Sequence, residues 1–388
     1  MHGNSRGDIL ELIRRGGVTT RRHLSELTGL SRSVVAQTVA ELIAEGLVAE
    51  RAAARAASSR GRPTSALGPA NRTGWIAAID FGHRHAAIAI TGLDGVVAWE
   101  QRVTTDVDGD AIAAFAIAGA LLDAGLDRLG LRRADLTSVA IGIPHPVDKA
   151  SGIVRAPASL PSWAGLSAPT QLGRGFTCPV LIDNDANLGA WGEYLHGAGR
   201  GTSSMLYIKV ADGVGAGFVV DGTVFNGARG VGGEMGHVQV DPDGELCRCG
   251  RRGCLEAVYS SAAVRRRLSA IAPVPPGQPF EVTDATRPVF EQAGHAIGRV
   301  VAQLCNFLDP DAVVFGGPLG VVGEPLLDGV RAAFTEFGQV SAVRDVPVRT
   351  AALGVRSELV GAIDRAVQAA WAHPPRARNL ATDLARNL

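Results

Sequence analysis

Four residues with metal-binding side chains stand close together in this chain. Cys247, Cys249 and Cys254 fall within eight residues of one another, and His237 precedes them. Three thiolates and an imidazole suit tetrahedral zinc. Four protein ligands leave no open position for a catalytic water, so the spacing Cys-x-Cys-x4-Cys points to a structural zinc site. Gly250 and Gly253 let the chain fold tightly around an ion. A zinc ion there would pin the loop that also carries Glu256.

A different chemistry is indicated near the N-terminus. Residues 31–45 read as a helix that presents Ser31, Arg32, Ser33, Gln37 and Thr38 on its early turns. Recognition helices set such residues against base edges in the major groove of DNA. The usual bidentate pairings match Arg32 to guanine and Gln37 to adenine. Arg60-Gly61-Arg62-Pro63 suits a narrow, AT-rich minor groove, which attracts arginine, and Arg51 and Arg55 suit phosphates. Charge agrees with this placement. The first 70 residues hold ten arginines against six acids, although the whole chain balances 38 basic residues with 38 acidic ones. An excess confined to one end is expected where one end meets nucleic acid.

The elements that must position these residues follow from hydrophobic spacing. Ile9, Leu10, Leu12 and Ile13 share one face of a first helix that ends near Gly16-Gly17. A second helix from Thr20 to Leu27 turns Leu24 and Leu27 inward. Gly29 supplies a tight turn, and Ser31 caps a third helix. That helix carries Val34, Val35, Val39, Leu42 and Ile43 at helical spacing and stops at Gly46. With Leu47-Val48 and the basic stretch after them, this is a winged helix-turn-helix. Residues 52–70, rich in Ala, Ser, Gly, Pro and Arg, read as wing plus linker.

From the strand Trp75–Ile79 onward, strands alternate with helices, the mark of an α/β fold. Two stretches are weak copies of one motif. Ile79-Asp80-Phe81-Gly82 leads to apolar residues 86–90 and an Asp94-Gly95 turn; Val210-Ala211-Asp212-Gly213 leads to Ala216–Val220 and an Asp221-Gly222 turn. Asp-Gly between apolar runs signals a hairpin whose two turn residues take positive φ. A unit that occurs twice implies a duplicated fold with a cleft between its halves. Helical periodicity returns at 288–308, 325–336 and 357–371, and a loosely held tail is expected from His373.

Composition excludes several classes. A chain of 388 residues suits two or three domains. With 46% hydrophobic and 20% charged residues it is a folded chain and not a disordered one. No apolar run approaches about 18 residues and the first residues hold no signal core, so no membrane association and a cytoplasmic location are expected. Five cysteines do not make a disulfide framework in so long a chain, and they are expected to remain thiols.

Several motifs together resemble one family. GIPHPVD (142–148), LPSWAG (160–165), IDNDANLGAWGE (182–193), GARGVGGEMGH (227–237), CRCGRRGCLE (247–256), DPDAVVFGG (309–317) and ALGVRSELVGA (352–362) are similar to those of the ROK group of repressors, open reading frames and sugar kinases. The resemblance spans nearly the whole chain and implies two actin-like, RNase H-type lobes, with zinc at the cysteine motif. It also implies a sugar-binding set of Asn184, Asp185, Glu234, His237 and Glu256. Carboxylates, an amide and an imidazole suit sugar hydroxyls, each of which both donates and accepts. The counterpart of Asp185 in the kinases is the base that takes the hydroxyl proton. His237 would be shared, one ring nitrogen toward zinc and the other toward sugar. Ser159 stands where many relatives carry Asn, which leaves the sugar's identity open.

Against the same pattern, the phosphate loops depart. Asp80-Phe81-Gly82-His83-Arg84-His85 replaces Asp-x-Gly-Gly-Thr, and Asp212 replaces the Thr before Gly213-Val214-Gly215. Bulky side chains obstruct the backbone's approach to phosphate, and a carboxylate repels it. The expectation is a catalytically silent sensor joined to a DNA-binding unit: a winged domain over 1–66, a kinase-like domain over 72–372 with two lobes split near 188, and a tail over 373–388. Such a regulator, most simply a repressor of carbohydrate genes, would bind a double-stranded operator as a homodimer or homotetramer and answer to a sugar or sugar phosphate. The alternatives are an ATP-dependent hexose or N-acetylhexosamine kinase, and a regulator that answers to a protein partner.

Overall fold

The computed structural model describes residues 5–16, 19–51, 66–70, 73–148, 151–155, 160, 162–167, 170–171 and 176–372. Three helices open the chain: α1 (Ser5–Gly16), α2 (Arg21–Thr28) and α3 (Arg32–Ala44). Thr20 caps α2 through the His23 amide, and Gly29 closes it in the left-handed conformation at φ 68°. Ser31 caps α3 through the Val34 amide. Val35, Val39 and Leu42 meet Ile9, Ile13 and Leu24 in the core of this unit. Val34 and Leu27, expected inward, are instead exposed.

Strand β1 (Val48–Arg51) pairs antiparallel with β2 (Ala66–Pro69), and Thr19 bridges to Leu67. The winged unit therefore runs to Pro69, past the expected boundary at 66. Residues 66–69, read as linker, are the returning strand. Arg55, Arg60, Arg62, Ser159 and the tail from 373 lie outside the described residues.

The body carries two five-stranded sheets. In the first, β3 (Trp75–Gly82), β4 (His85–Gly92) and β5 (Val97–Thr104) form an antiparallel meander, and β6 (Leu136–Ile143) and β7 (Val180–Asn184) add in parallel, giving the order β5-β4-β3-β6-β7. The second repeats the plan with β8 (Ser204–Val210), β9 (Val214–Val220), β10 (Thr223–Phe225), β11 (Ala312–Gly316) and β12 (Val348–Thr350), in the order β10-β9-β8-β11-β12. Position for position the two orders match, so the duplication expected from the repeated hairpin is a duplication of the whole sheet.

One turn differs from expectation. Asp221 and Gly222 both have positive φ, at 48° and 70°. In the first hairpin only Gly95 does, at 76°, and Asp94 instead accepts from the Val96 amide through its side chain.

Helix α4 (Ala111–Arg128) covers the first sheet. Between the sheets lies α5 (Asp185–His196), buried along most of its length. Helices α6 (Leu255–Tyr259), α7 (Ser261–Leu268), α8 (Arg287–Leu308) and α9 (Glu324–Phe337) belong to the second lobe. The chain then returns: α10 (Ser357–Ala372) packs on α5 and on β3 and β6 of the first sheet. The first lobe is thus built from two separated stretches, and a single split near 188 is too simple. Among the described residues no helix is long and apolar enough to cross a membrane.

Candidate functional site

A cavity of about 820 Å3 opens between the lobes. This lies within the range of roughly 300–1,000 Å3 typical of small-molecule sites. Asn184, Asp185, Glu234, His237 and Glu256 all line it, so the structure brings the five expected residues together. Two come from the junction of β7 with α5. Asn184 caps α5, its Oδ1 accepting from the amides of Ala186 and Asn187 at 2.9 and 3.4 Å. Glu234 and His237 stand on a loop that hugs β9. A Cβ on Gly233 would strike the Ala216 carbonyl oxygen, and one on Gly236 that of Val214. Glycine at these two positions is what lets the loop lie so close.

Lys209 gives this site its charge balance, and the sequence reading missed it. Its ammonium, 7% exposed, donates to Oδ2 of Asp185 at 2.7 Å and lies 3.5 Å from Oε1 of Glu358. Burial opposes its charge, but Asp185, Glu358 and Asp80 outweigh that and hold its pKa above the ordinary lysine range. Asp185 Oδ1 accepts from the Ala186 amide at 2.7 Å, so both carboxylate oxygens are engaged. Opposite, burial raises Glu234 to about 7, helped by the carboxylates of Glu256 and Asp185.

The four residues expected to hold a metal converge. Donor atoms of His237, Cys247, Cys249 and Cys254 lie within 4.8 Å of one another. Cys247 Sγ is 3.5 Å from His237 Nδ1, and Cys249 Sγ is 3.6 Å from Cys254 Sγ. Zinc–sulfur bonds of about 2.3 Å at tetrahedral angles put ligand atoms about 3.5–3.8 Å apart, so the donor set fits that ion. Gly253, at φ 63°, closes the loop where any Cβ would collide with the Asp241 carbonyl oxygen. His237 presents Nδ1 to the sulfurs and Nε2 toward Glu234, 3.6 Å from its Oε2. A metal here would fix the side chain that shares a wall with the cavity.

The two loops that depart from the kinase pattern line the same cavity and are braced by side chains. His85 Nε2 donates to Oδ2 of Asp80 at 3.0 Å. Burial pushes the Asp80 carboxyl up, yet His85 and Lys209 outweigh it and hold it at about 2. The His83 ring lies where a Cβ on Gly213 would be, closing the first loop onto the second. Arg248, from between the metal cysteines, donates to Asp108 Oδ2 at 2.6 Å and to the Asp212 carbonyl at 2.9 Å, and its Nε lies 2.8 Å from Glu256 Oε1. Asp108 Oδ1 lies 2.7 Å from His83 Nδ1. Arg84 sits 4.0 Å from the Asp212 carboxylate, which tempers the repulsion expected of that residue.

Signals for the missed residues were present but thin. Lys209 interrupts the apolar strand Met205–Val210, and Arg248 sits between two cysteines.

On the winged unit, Ser31, Arg32, Ser33 and Gln37 face outward on α3, and Gln37 also donates to Glu41 at 3.1 Å. Thr38 is 8% exposed and points into the core with Val35 and Val39, so it does not share their outward face. A three-residue spacing from Val35 carries it round to the buried side.

Comparison with known proteins agrees with this architecture. Residues 4–49 match the winged helix-turn-helix DNA-binding family. A putative xylose repressor from Caldicellulosiruptor sp. (strain Rt8B.4) is 27% identical over 387 residues, spanning 94% of this chain and 96% of that protein. A glucokinase from Halalkalibacterium halodurans is 28% identical, spanning 74% of this chain and 93% of its own. Among solved structures, a ROK family transcriptional regulator described as a homologue of the E. coli MLC protein superposes with a TM-score of 0.75 at 25% identity, covering 94% of this chain and 96% of the other. A ROK family glucokinase from Streptomyces griseus, solved with glucose and AMPPNP, gives 0.63 at 28% identity, covering 76% and 100%. Since residues 76–369, which carry both duplicated sheets and the cavity between them, match the ROK family model, the chain belongs to the ROK family.

Proposed function

We propose that this protein is a DNA-binding transcriptional repressor of sugar-metabolism genes whose ROK body senses a sugar and transfers no phosphate. The observation that carries the reading is the state of the cleft: side chains suited to hydroxyls converge on a cavity, while His83, His85 and the Arg248–Asp108 pair stand in and brace the two loops that would have to approach phosphate. The repressor relative spans the winged unit and the body, whereas the glucokinase spans three quarters of the chain. Asn184, Asp185, Glu234, His237 and Glu256 hold sugar hydroxyls. With Lys209 on one oxygen and the Ala186 amide on the other, Asp185 uses its remaining lone pairs as an acceptor and not as a base. His237, Cys247, Cys249 and Cys254 hold zinc, which when bound supplies rigidity to the loop carrying Glu256. The winged unit reads DNA through Ser31, Arg32, Ser33 and Gln37, with Arg60 and Arg62 in the minor groove. The protein is expected to work as a homo-oligomer on paired half-sites.

Two measurements test this. A coupled assay over a panel of aldoses should show no sugar-dependent ADP release, and steady turnover would return the kinase reading. Arg32→Ala should weaken operator binding by about 1–3 kcal/mol and relax preference at one base pair, as loss of a bidentate contact does. Wild-type affinity in that variant would displace α3 from the groove.

A further inference from the structure

Two helices begin at the cleft and meet again against the winged unit. Helix α5 opens with Asp185 and α10 with Ser357-Glu358, and both acids face the Lys209 ammonium, at 2.7 and 3.5 Å. About two turns along each helix, Trp191 Nε1 donates to Asp364 Oδ2 at 2.9 Å. The other oxygen of that carboxylate accepts from Arg14 Nη2, on α1, at 3.0 Å. One turn further, Gln368 donates to Glu11 of α1 at 3.2 Å. Asp364 is 5% exposed and the Arg14 side chain 15%, so this is a largely buried ion pair between winged unit and body.

The two helices form one rigid bracket. A Cβ on Gly361 would collide with the Leu188 carbonyl oxygen, and one on Gly192 with that of Ser357. Backbones this close cannot slide past each other without opening the core. Apolar side chains of α1 and α10, among them Ile9, Ile13, Ile363 and Val367, belong to one continuous core. A displacement at the Lys209 end is therefore delivered to α1 at the other.

We propose that Arg14 and Asp364 are positioning residues, forming the joint through which a ligand in the cleft sets the pose of the winged unit on the body. The proposal rests on the sensor reading above for its ligand. Coupling between sites is typically roughly 5–150-fold in affinity, and rigid elements with discrete packings carry it.

The test uses the full chain, a DNA fragment that it selects from a random-sequence pool, and D-xylose and D-glucose as probes. Wild type should change its DNA affinity in saturating sugar. Arg14→Met should keep its thermal shift with the same sugar while its DNA affinity changes less than about two-fold. Asp364→Asn, which keeps an acceptor for Trp191, should behave likewise and serves if Arg14→Met does not fold. A variant that responds as wild type does overturns the joint and leaves the sensor standing. If wild type answers neither sugar, the joint is judged without ligand by hydrogen exchange. Lys209→Met should then speed amide exchange across residues 5–16 more than across 287–308 of the second lobe, and an equal or smaller rise at 5–16 overturns the proposal.

Discussion

Lys209→Met is expected to destabilise the folded chain by about 3–5 kcal/mol, the range for removing one partner of a buried ion pair. The variant keeps the volume and removes the ammonium that Asp185, Glu358 and Asp80 share, leaving His85 and Arg102 near Asp80 alone. The loss should depend on pH. Burial already raises the Glu358 carboxyl above its ordinary range, against the pull of Lys209, with Asp80 and Asp185 adding to the rise. Without the ammonium the largest opposing pull is gone. A carboxyl whose pKa is higher folded than unfolded stabilises the fold below its unfolded value and loses that contribution as pH rises through the folded value. Urea unfolding of variant and wild type should therefore show a smaller gap near pH 5 than near pH 8. A gap that is equal at both, or that is within about 0.5 kcal/mol of zero, would mean that Lys209 does not balance these carboxylates.

Cys254→Ser is expected to weaken metal binding by more than the roughly 10–100-fold that loss of a ligand's supporting partner costs, because here a ligand itself is removed. Wild type should carry one zinc per chain, and the variant much less than one. The sulfur of Cys254 is buried beside that of Cys249, and the loop it closes delivers Glu256 to the cavity wall. Sugar-induced thermal stabilisation should fall with the metal, and treating wild type with a strong chelator should reproduce both effects. Metal analysis that finds no zinc in protein purified without chelator would remove the basis for this prediction.

The parts of the fold visible in the sequence were those set by local chemistry. Ser31 as a cap, Gly29 as a left-handed turn and the helices at 287–308, 324–337 and 357–372 each follow from residues a few positions apart. The repeated Asp-Gly hairpin gave away the duplication for the same reason. What escaped depends on partners far along the chain. Residues 66–69 look like linker until they pair with 48–51. Thr38 is an exception: it has the composition of a contact residue, yet its spacing from Val35 and Leu42 already put it on the buried face, a local signal that the reading passed over. Among the site residues, the five side chains that line the cavity and the four that form the Cys3His cluster were legible through motifs. Lys209 was not, since its meaning comes from acids at 80, 185 and 358 that no local pattern connects. Arg248 likewise acquires its role from Asp108 in the opposite lobe.

The return of α10 to the first lobe has a consequence for how the protein is made. Strands β3 and β6 and the winged helices are synthesised early, yet the helix that covers them, with Asp364 for Arg14 and Ser138 held to the Ala366 carbonyl, comes more than 200 residues later. At roughly 5–20 residues per second on the ribosome, 350 residues separate Arg14 from its partner by about 20–70 s. For that interval the apolar faces that α10 covers on α1, β3 and β6 are expected to lack their partner. A chain ending before Ser357 would carry the winged unit without the helix that seats it on the body. Docking of the winged unit on the body thus waits for residues 357–372.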